Sequence, residues 1–154
     1  MTKSKLPFTL VEIVVCLAIL GMASALVGIQ IRRMVADHTF QSNVTNLISE
    51  LKKCQLVAAC DQTDIEVVIA KEGKHYAFWI ETDDQLLYFS KRKMLMTGVG
   101  RIEKGGKLVD REVIHFYPSG RFDPKTYELF HGGVKGCVID MARPLMIEHK
   151  LLST

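Results

Sequence analysis

Little in the first third of this sequence interrupts it. The chain has four prolines in 154 residues, and none lies between Pro7 and Cys60, so nothing in that stretch removes a helical hydrogen bond. Four cysteines occur, Cys16, Cys54, Cys60 and Cys137, without a CxxC pair or Cys/His ligand spacing, which argues against a zinc site. An excess of one charge is also missing. Twenty Lys and Arg stand against 17 Asp and Glu, a net +3, and no basic stripe carries interleaved aromatics, so no nucleic-acid partner is expected. Lys91-Arg92-Lys93 is short and reads as a solvated loop. Lys104-Gly105-Gly106-Lys107 has neither Walker nor dinucleotide spacing, and there is no nucleophile elbow. His75 and His115 fall in strand-like stretches, and Cys137 would need the fold to bring one of them to it before a thiolate pair could form. Asp83-Asp84 suits a turn, and Asp123, before Pro124, suits a loop cap. Trp79, Phe78 and Tyr76 read as the two faces of one strand. The expectation is a chain that is not an enzyme, with no catalytic residues, no cofactor and no metal.

What the sequence does have is one membrane-length apolar run, residues 8–31, reading FTLVEIVVCLAILGMASALVGIQI, with Lys3 and Lys5 before it and Arg32 and Arg33 after it. A single carboxylate, Glu12, interrupts it near the start. A charge at the centre of a membrane helix costs about 2.5–3.5 kcal/mol on insertion scales, and such residues are functional candidates by default. Three readings fit the run. It is long enough to cross a bilayer, which takes about 20 apolar residues, although basic residues at both ends leave its orientation open. It also has the form of a secretory signal, with Ala23-Ser24-Ala25 as a small-residue cleavage site. The third reading is a hydrophobic helix buried in an assembly, where the carboxylate meets a partner. Only this third reading gives Glu12 a purpose.

The segment LPFTLVEIVVCLAILGMASAL resembles the signature of type IV pilins and type II secretion pseudopilins. In that family a short basic leader precedes a phenylalanine that becomes the first mature residue, a glutamate follows four positions later, and an apolar helix begins. Phe8, Thr9, Leu10, Val11 and Glu12 match in order. The resemblance implies cleavage between Pro7 and Phe8 by a prepilin peptidase, N-methylation of Phe8, and neutralisation of an adjacent subunit's Phe8 amine by Glu12 during assembly. Elementary electrostatics supports such a pairing, because carboxylate and ammonium attract far more strongly in a low-dielectric interior than in water and neither tolerates burial alone. Only one axial offset between neighbouring helices joins the two groups, so the pair would also set register. The chain departs from the family at Pro7, where glycine is the rule. Proline fixes its own φ and restricts Leu6 before it. Either the peptidase accepts proline or the protein works uncleaved, and uncleaved it offers Glu12 no amine.

Beyond the run, Val44, Leu47, Ile48, Leu51, Cys54 and Ala58 recur at three- and four-residue steps between polar residues. The spacing predicts one helix of roughly 50 residues, about 75 Å long, ended by Asp61-Gln62-Thr63-Asp64. Cys54 and Cys60, on different faces, are expected to be small buried hydrophobes. From Ile65 the period changes to two, with strands expected at 65–70, 75–81, 86–90, 112–117, 126–130, 136–141 and 145–149. Turns are expected at Glu72-Gly73-Lys74, Lys104-Gly105-Gly106-Lys107 and Pro118-Ser119-Gly120. The fold class is then α+β, a long N-terminal helix with a membrane-embedded front half, packed on a C-terminal antiparallel β-sheet or sandwich. The organisation expected is a leader over 1–7, a hydrophobic transmembrane and assembly helix over 8–31, its amphipathic second half over 32–62, and a globular β-domain over 63–154.

Val113-Ile114-His115-Phe116-Tyr117-Pro118-Ser119-Gly120, with the strands after it, is similar to the strand, Pro-x-Gly turn and strand of H-type minor pseudopilins and their pilus counterparts. The acidic calcium loop of major pseudopilins has no counterpart here. The resemblance therefore implies a structural minor pseudopilin of a type II secretion pseudopilus. Its partners would be other pseudopilins, the prepilin peptidase and the inner-membrane assembly platform. It would sit in the bacterial inner membrane as a single-pass protein with a periplasmic C-terminal domain. The alternatives are a minor pilin of a type IV pilus or DNA-uptake system, or a membrane-tethered extracytoplasmic binding domain or enzyme.

Overall fold

The computed structural model describes residues 9–82, 93–143 and 146–152. The leader, Pro7, Phe8, Asp83-Asp84 and the strand expected at 86–90 lie outside the described residues. One helix, α1, runs from Leu10 to Asp61 over 52 residues, matching the proline-free stretch. Its end is fixed by Gln62, which takes a left-handed φ of 53°, while the Thr63 amide donates to the Ala58 carbonyl at 3.3 Å. That is the Schellman closure of a helix C-terminus. The Gln62 side chain adds a bond to the Ala59 carbonyl at 2.9 Å.

Chain contacts divide into two units after Ala36. The unit beginning at Asp37 contains the rear of α1 and, among the described residues, nine strands. These are β1 (Ile65–Glu72), β2 (His75–Glu81), β3 (Met94–Met96), β4 (Arg101–Lys104), β5 (Lys107–Leu108), β6 (Arg111–Phe116), β7 (Lys125–His131), β8 (Val134–Arg143) and β9 (Met146–Leu151). All pairings are antiparallel. They build two sheets, in the orders β3-β2-β1-β6 and β5-β4-β7-β8-β9. Strands β3, β4 and β5 were not expected from the sequence. They are two to four residues long, too short to display a period. The turn expected at Lys104-Gly105-Gly106-Lys107 joins β4 to β5. Between β7 and β8, Gly132 and Gly133 both take positive φ, 56° and 87°. Two such residues in a two-residue hairpin loop match strand twist and favour glycine.

One core joins helix and sheets. The rear of α1 contributes Phe40, Val44, Leu47, Ile48, Leu51, Cys54 and Ala58. Alternate residues of β1 and β2 supply Ile65, Val67, Ile69, Tyr76, Phe78 and Ile80, and the second sheet adds Ile102, Leu129, Cys137 and Ile139. Each large apolar side chain buried there is worth about 1.5–3 kcal/mol over leaving it in water. Every residue of the three-and-four pattern, Val44 to Ala58, is buried. Cys60 corrects the expectation made for it: two residues past Ala58, where the buried stripe ends, it is exposed.

Phe40 wedges into the seam between helix and sheet. A Cβ on Gly136 of β8 would lie 2.7 Å from its ring, so only glycine lets the strand pass that close.

Candidate functional site

The start of α1 is a helix cap. Thr9 precedes the first helical residue, and its hydroxyl oxygen accepts the Glu12 amide at 3.3 Å. Its carbonyl accepts the Ile13 amide, also at 3.3 Å. Thr-x-x-Glu at a helix start is the pattern of a capping box, and an acidic side chain in the first turn also suits the positive end of the helix dipole. Glu12 is that acidic residue. The carboxylate thus has a local reason for its position in the first turn. Threonine three residues before glutamate was legible in the sequence as the signal for it.

From Leu10 to Ile31 the helix turns its apolar side chains outward. Leu10 is 80% exposed and Met22 72%, with Val14, Leu17, Ile19, Leu20, Ile29 and Ile31 at half or more. Contiguous exposed apolar surface on this scale marks a membrane or protein contact. The helix is long and apolar enough to cross a membrane. It continues unbroken through Ala23-Ser24-Ala25, where the Ser24 hydroxyl donates to the Leu20 carbonyl at 2.7 Å. That bond satisfies the one hydroxyl in the middle of the run within its own helix. Glu12 is exposed among these residues, and Arg32 and Arg33, also exposed, end the run. The structure therefore places Glu12 on an exposed apolar surface, while Pro7 and Phe8 lie outside the described residues.

The β-domain holds an ionic cluster that sequence reasoning missed. Glu112 Oε1 on β6 accepts from Lys104 Nζ at 2.8 Å, Lys125 Nζ at 2.9 Å and the Tyr127 hydroxyl at 3.3 Å. Lys125 also donates to the Val113 carbonyl at 3.1 Å. The Lys125 and Glu112 side chains are only 14% and 16% exposed. Burial pushes the Glu112 carboxyl up, but the bonds and charges of Lys104 and Lys125 outweigh it and hold it below the usual carboxylate value. Burial, then the neighbouring carboxylate, push the Tyr127 hydroxyl up. The four residues come from β4, β6 and β7, so the cluster ties one sheet to the other. No sequence spacing announces it.

The remaining candidates settle into structural positions. His75 is exposed on β2, and His115 Nδ1 lies 3.1 Å from Glu66 Oε1 on the neighbouring strand. Asp123 accepts from the Tyr117 hydroxyl at 3.2 Å across the Pro118-Ser119-Gly120 turn, which is itself closed by the Gly120 amide on the Tyr117 carbonyl at 2.8 Å. Cys137 is buried, and burial pushes its thiol up to about 11. Burial, helped by the Glu50 charge, raises Cys54 to about 12. Such thiols are protonated and inert near neutral pH. Among the described residues, no three His, Cys, Asp or Glu side chains gather as metal ligands.

One long N-terminal helix, exposed and apolar in front and packed on antiparallel sheets behind, is the architecture of type IV pilins. The chain has that fold. It is similar to the crystal structure of the type IV minor pilin FimU of Pseudomonas aeruginosa strain PAO1 in space group P21, with a TM-score of 0.51 and 15% identity, covering 72% of this chain and 87% of that one. The same minor pilin in space group P65 superposes with a TM-score of 0.49 and 16% identity, covering 71% and 91%. No family model matches the sequence, and no curated protein matches it.

Proposed function

We propose that the chain is a structural subunit of a pilin-like filament, a minor pseudopilin of a type II secretion pseudopilus. In this reading Pro7–Phe8 is cleaved by a prepilin peptidase, the Phe8 amine is methylated, and residues 8–31 hold the subunit in the inner membrane with residues 63–154 in the periplasm. Assembly through the platform then moves the apolar helix from lipid into a bundle of neighbouring pseudopilin helices, where Glu12 pairs with the Phe8 amine of the adjacent subunit. The observation that carries this reading is the exposed apolar front of α1, with Glu12 as its one charged residue between Leu10 and Ile31.

The experiment is Glu12→Ala in the full chain, expressed with its own secretion or pilus genes. The filament-associated fraction is expected to fall to background while membrane insertion and the fold of the β-domain persist. Normal incorporation of the variant would overturn the role given to Glu12. A second reading, a minor pilin of a type IV pilus or DNA-uptake system, draws support from the fold likeness to a minor pilin. Deleting the gene separates the two readings: the first expects loss of protein export with surface pili intact, the second the reverse.

A further inference from the structure

His131, the last residue of β7, places both ring nitrogens against acceptors. Nδ1 lies 2.7 Å from the Gly98 carbonyl in the β3–β4 turn, and Nε2 lies 3.2 Å from Asp37 Oδ1 on α1. A neutral imidazole carries one N–H and can serve one acceptor; the imidazolium carries two and serves both. We infer that His131 is a proton-dependent latch, which in its doubly protonated form ties α1 at Asp37 to the β3–β4 turn and the end of β7.

Among the described residues, the groups that surround the ring are these. The ring is tilted against Phe40 with centroids 5.2 Å apart, and its side chain is only 24% exposed. From α1, Asp37 faces it while neighbouring His38 is exposed. From β8, the residue opposite is Val134, and Lys135 beside it is held by Glu128 at 2.6 Å. From β4, Arg101 lies over the Phe130 ring at 4.1 Å and pairs with Glu103 at 3.1 Å. β9 contributes Leu151, followed by Leu152, to the adjoining cavity of about 240 Å³, which Gln41 and Gly136 also line. When the ring loses a proton, one N–H is left for two acceptors, and the acceptor that then faces the bare lone pair lets go. Acid therefore closes the seam between helix and sheet at this point, and alkali opens it.

The test is thermal unfolding of the full chain in a non-ionic detergent, followed by near-ultraviolet circular dichroism, for wild type, Asp37→Asn and His131→Gln. An asparagine amide can accept from the protonated ring or donate to the neutral one, so it holds the latch at either pH. Glutamine does not titrate. Between about pH 5 and about pH 8, where imidazoles titrate, the wild-type melting temperature is expected to drop about 2–4 °C more than that of either variant. The His115–Glu66 pair is common to all three chains and cancels. Equal pH slopes in wild type and Asp37→Asn overturn the latch, as does a full wild-type slope in His131→Gln.

Discussion

The Glu12 amide donates to the Thr9 hydroxyl oxygen at 3.3 Å, which fixes the one carboxylate of the apolar run in the first turn of its helix. The helix-start role seen at Glu12 and the assembly role proposed for it are separated by a single substitution. Glutamine can complete a capping box as glutamate does but cannot neutralise an amine. Glu12→Gln is expected to keep the helical content of the full chain in detergent, read by far-ultraviolet circular dichroism, and to abolish incorporation into filaments. Loss of helix with assembly intact would make capping the main role.

The Glu112 cluster makes the β-domain acid-sensitive. Its carboxyl titrates below the usual value in the folded chain, so its contribution is present above the unfolded carboxylate range, about pH 4.3, and is lost as pH falls through the folded value. Glu112→Gln is expected to lower stability by about 1.5–3 kcal/mol at neutral pH, the worth of hydrogen bonds to a charged group, and to flatten the loss of stability on acidification. Urea unfolding at neutral and acid pH measures both. An undiminished acid dependence in the variant would show that other carboxylates dominate.

Packing at the seam gives a third expectation. A methyl on Gly136 would meet the buried Phe40 ring at 2.7 Å, so Gly136→Ala should cost about 1–3 kcal/mol as an overpacked core site. Combined with Phe40→Leu the two costs should be strongly non-additive, because the smaller side chain makes room for the methyl. Simple additivity in denaturant unfolding would mean that the strand moves instead of the ring.

Thiol chemistry distinguishes the cysteines. In the native chain in detergent at mildly alkaline pH, a charged maleimide is expected to modify Cys60 rapidly and to spare Cys54 and Cys137, whose burial keeps them protonated. All four should react in denaturant. Peptide mapping by mass spectrometry reads the result, and rapid native labelling of Cys54 would contradict the packing of α1 on the sheets.

Much of this architecture was legible because it follows single periods. Val44 to Ala58 repeat at three and four, and β1 and β2 alternate at two, so the helix face and the first hairpin could be read directly. Phe40, four residues before Val44, belongs to the same face and extends it by one turn. The short strands β3 to β5 carry too few residues to show alternation; in β4 only Ile102 is buried. The Glu112 cluster draws on strands of both sheets, and the Asp37–His131 contact joins the helix to the end of β7, so neither leaves a local pattern. At the head of the chain the limitation was different: FTLVE signalled a partner for Glu12, and the Thr-x-x-Glu cap overlapping it went unread.

The most direct test is the mature N-terminus of the protein purified from its own cell envelope, determined by intact-mass and peptide mass spectrometry. A chain beginning at a methylated Phe8 is expected, leaving a charged amine four residues from Glu12 for the neighbouring subunit to use. A chain beginning at Leu26, after Ala23-Ser24-Ala25, would contradict assembly through this helix, because the apolar front and Glu12 would both be gone. Retained Met1 would contradict the pairing at Glu12, because no amine would exist at Phe8.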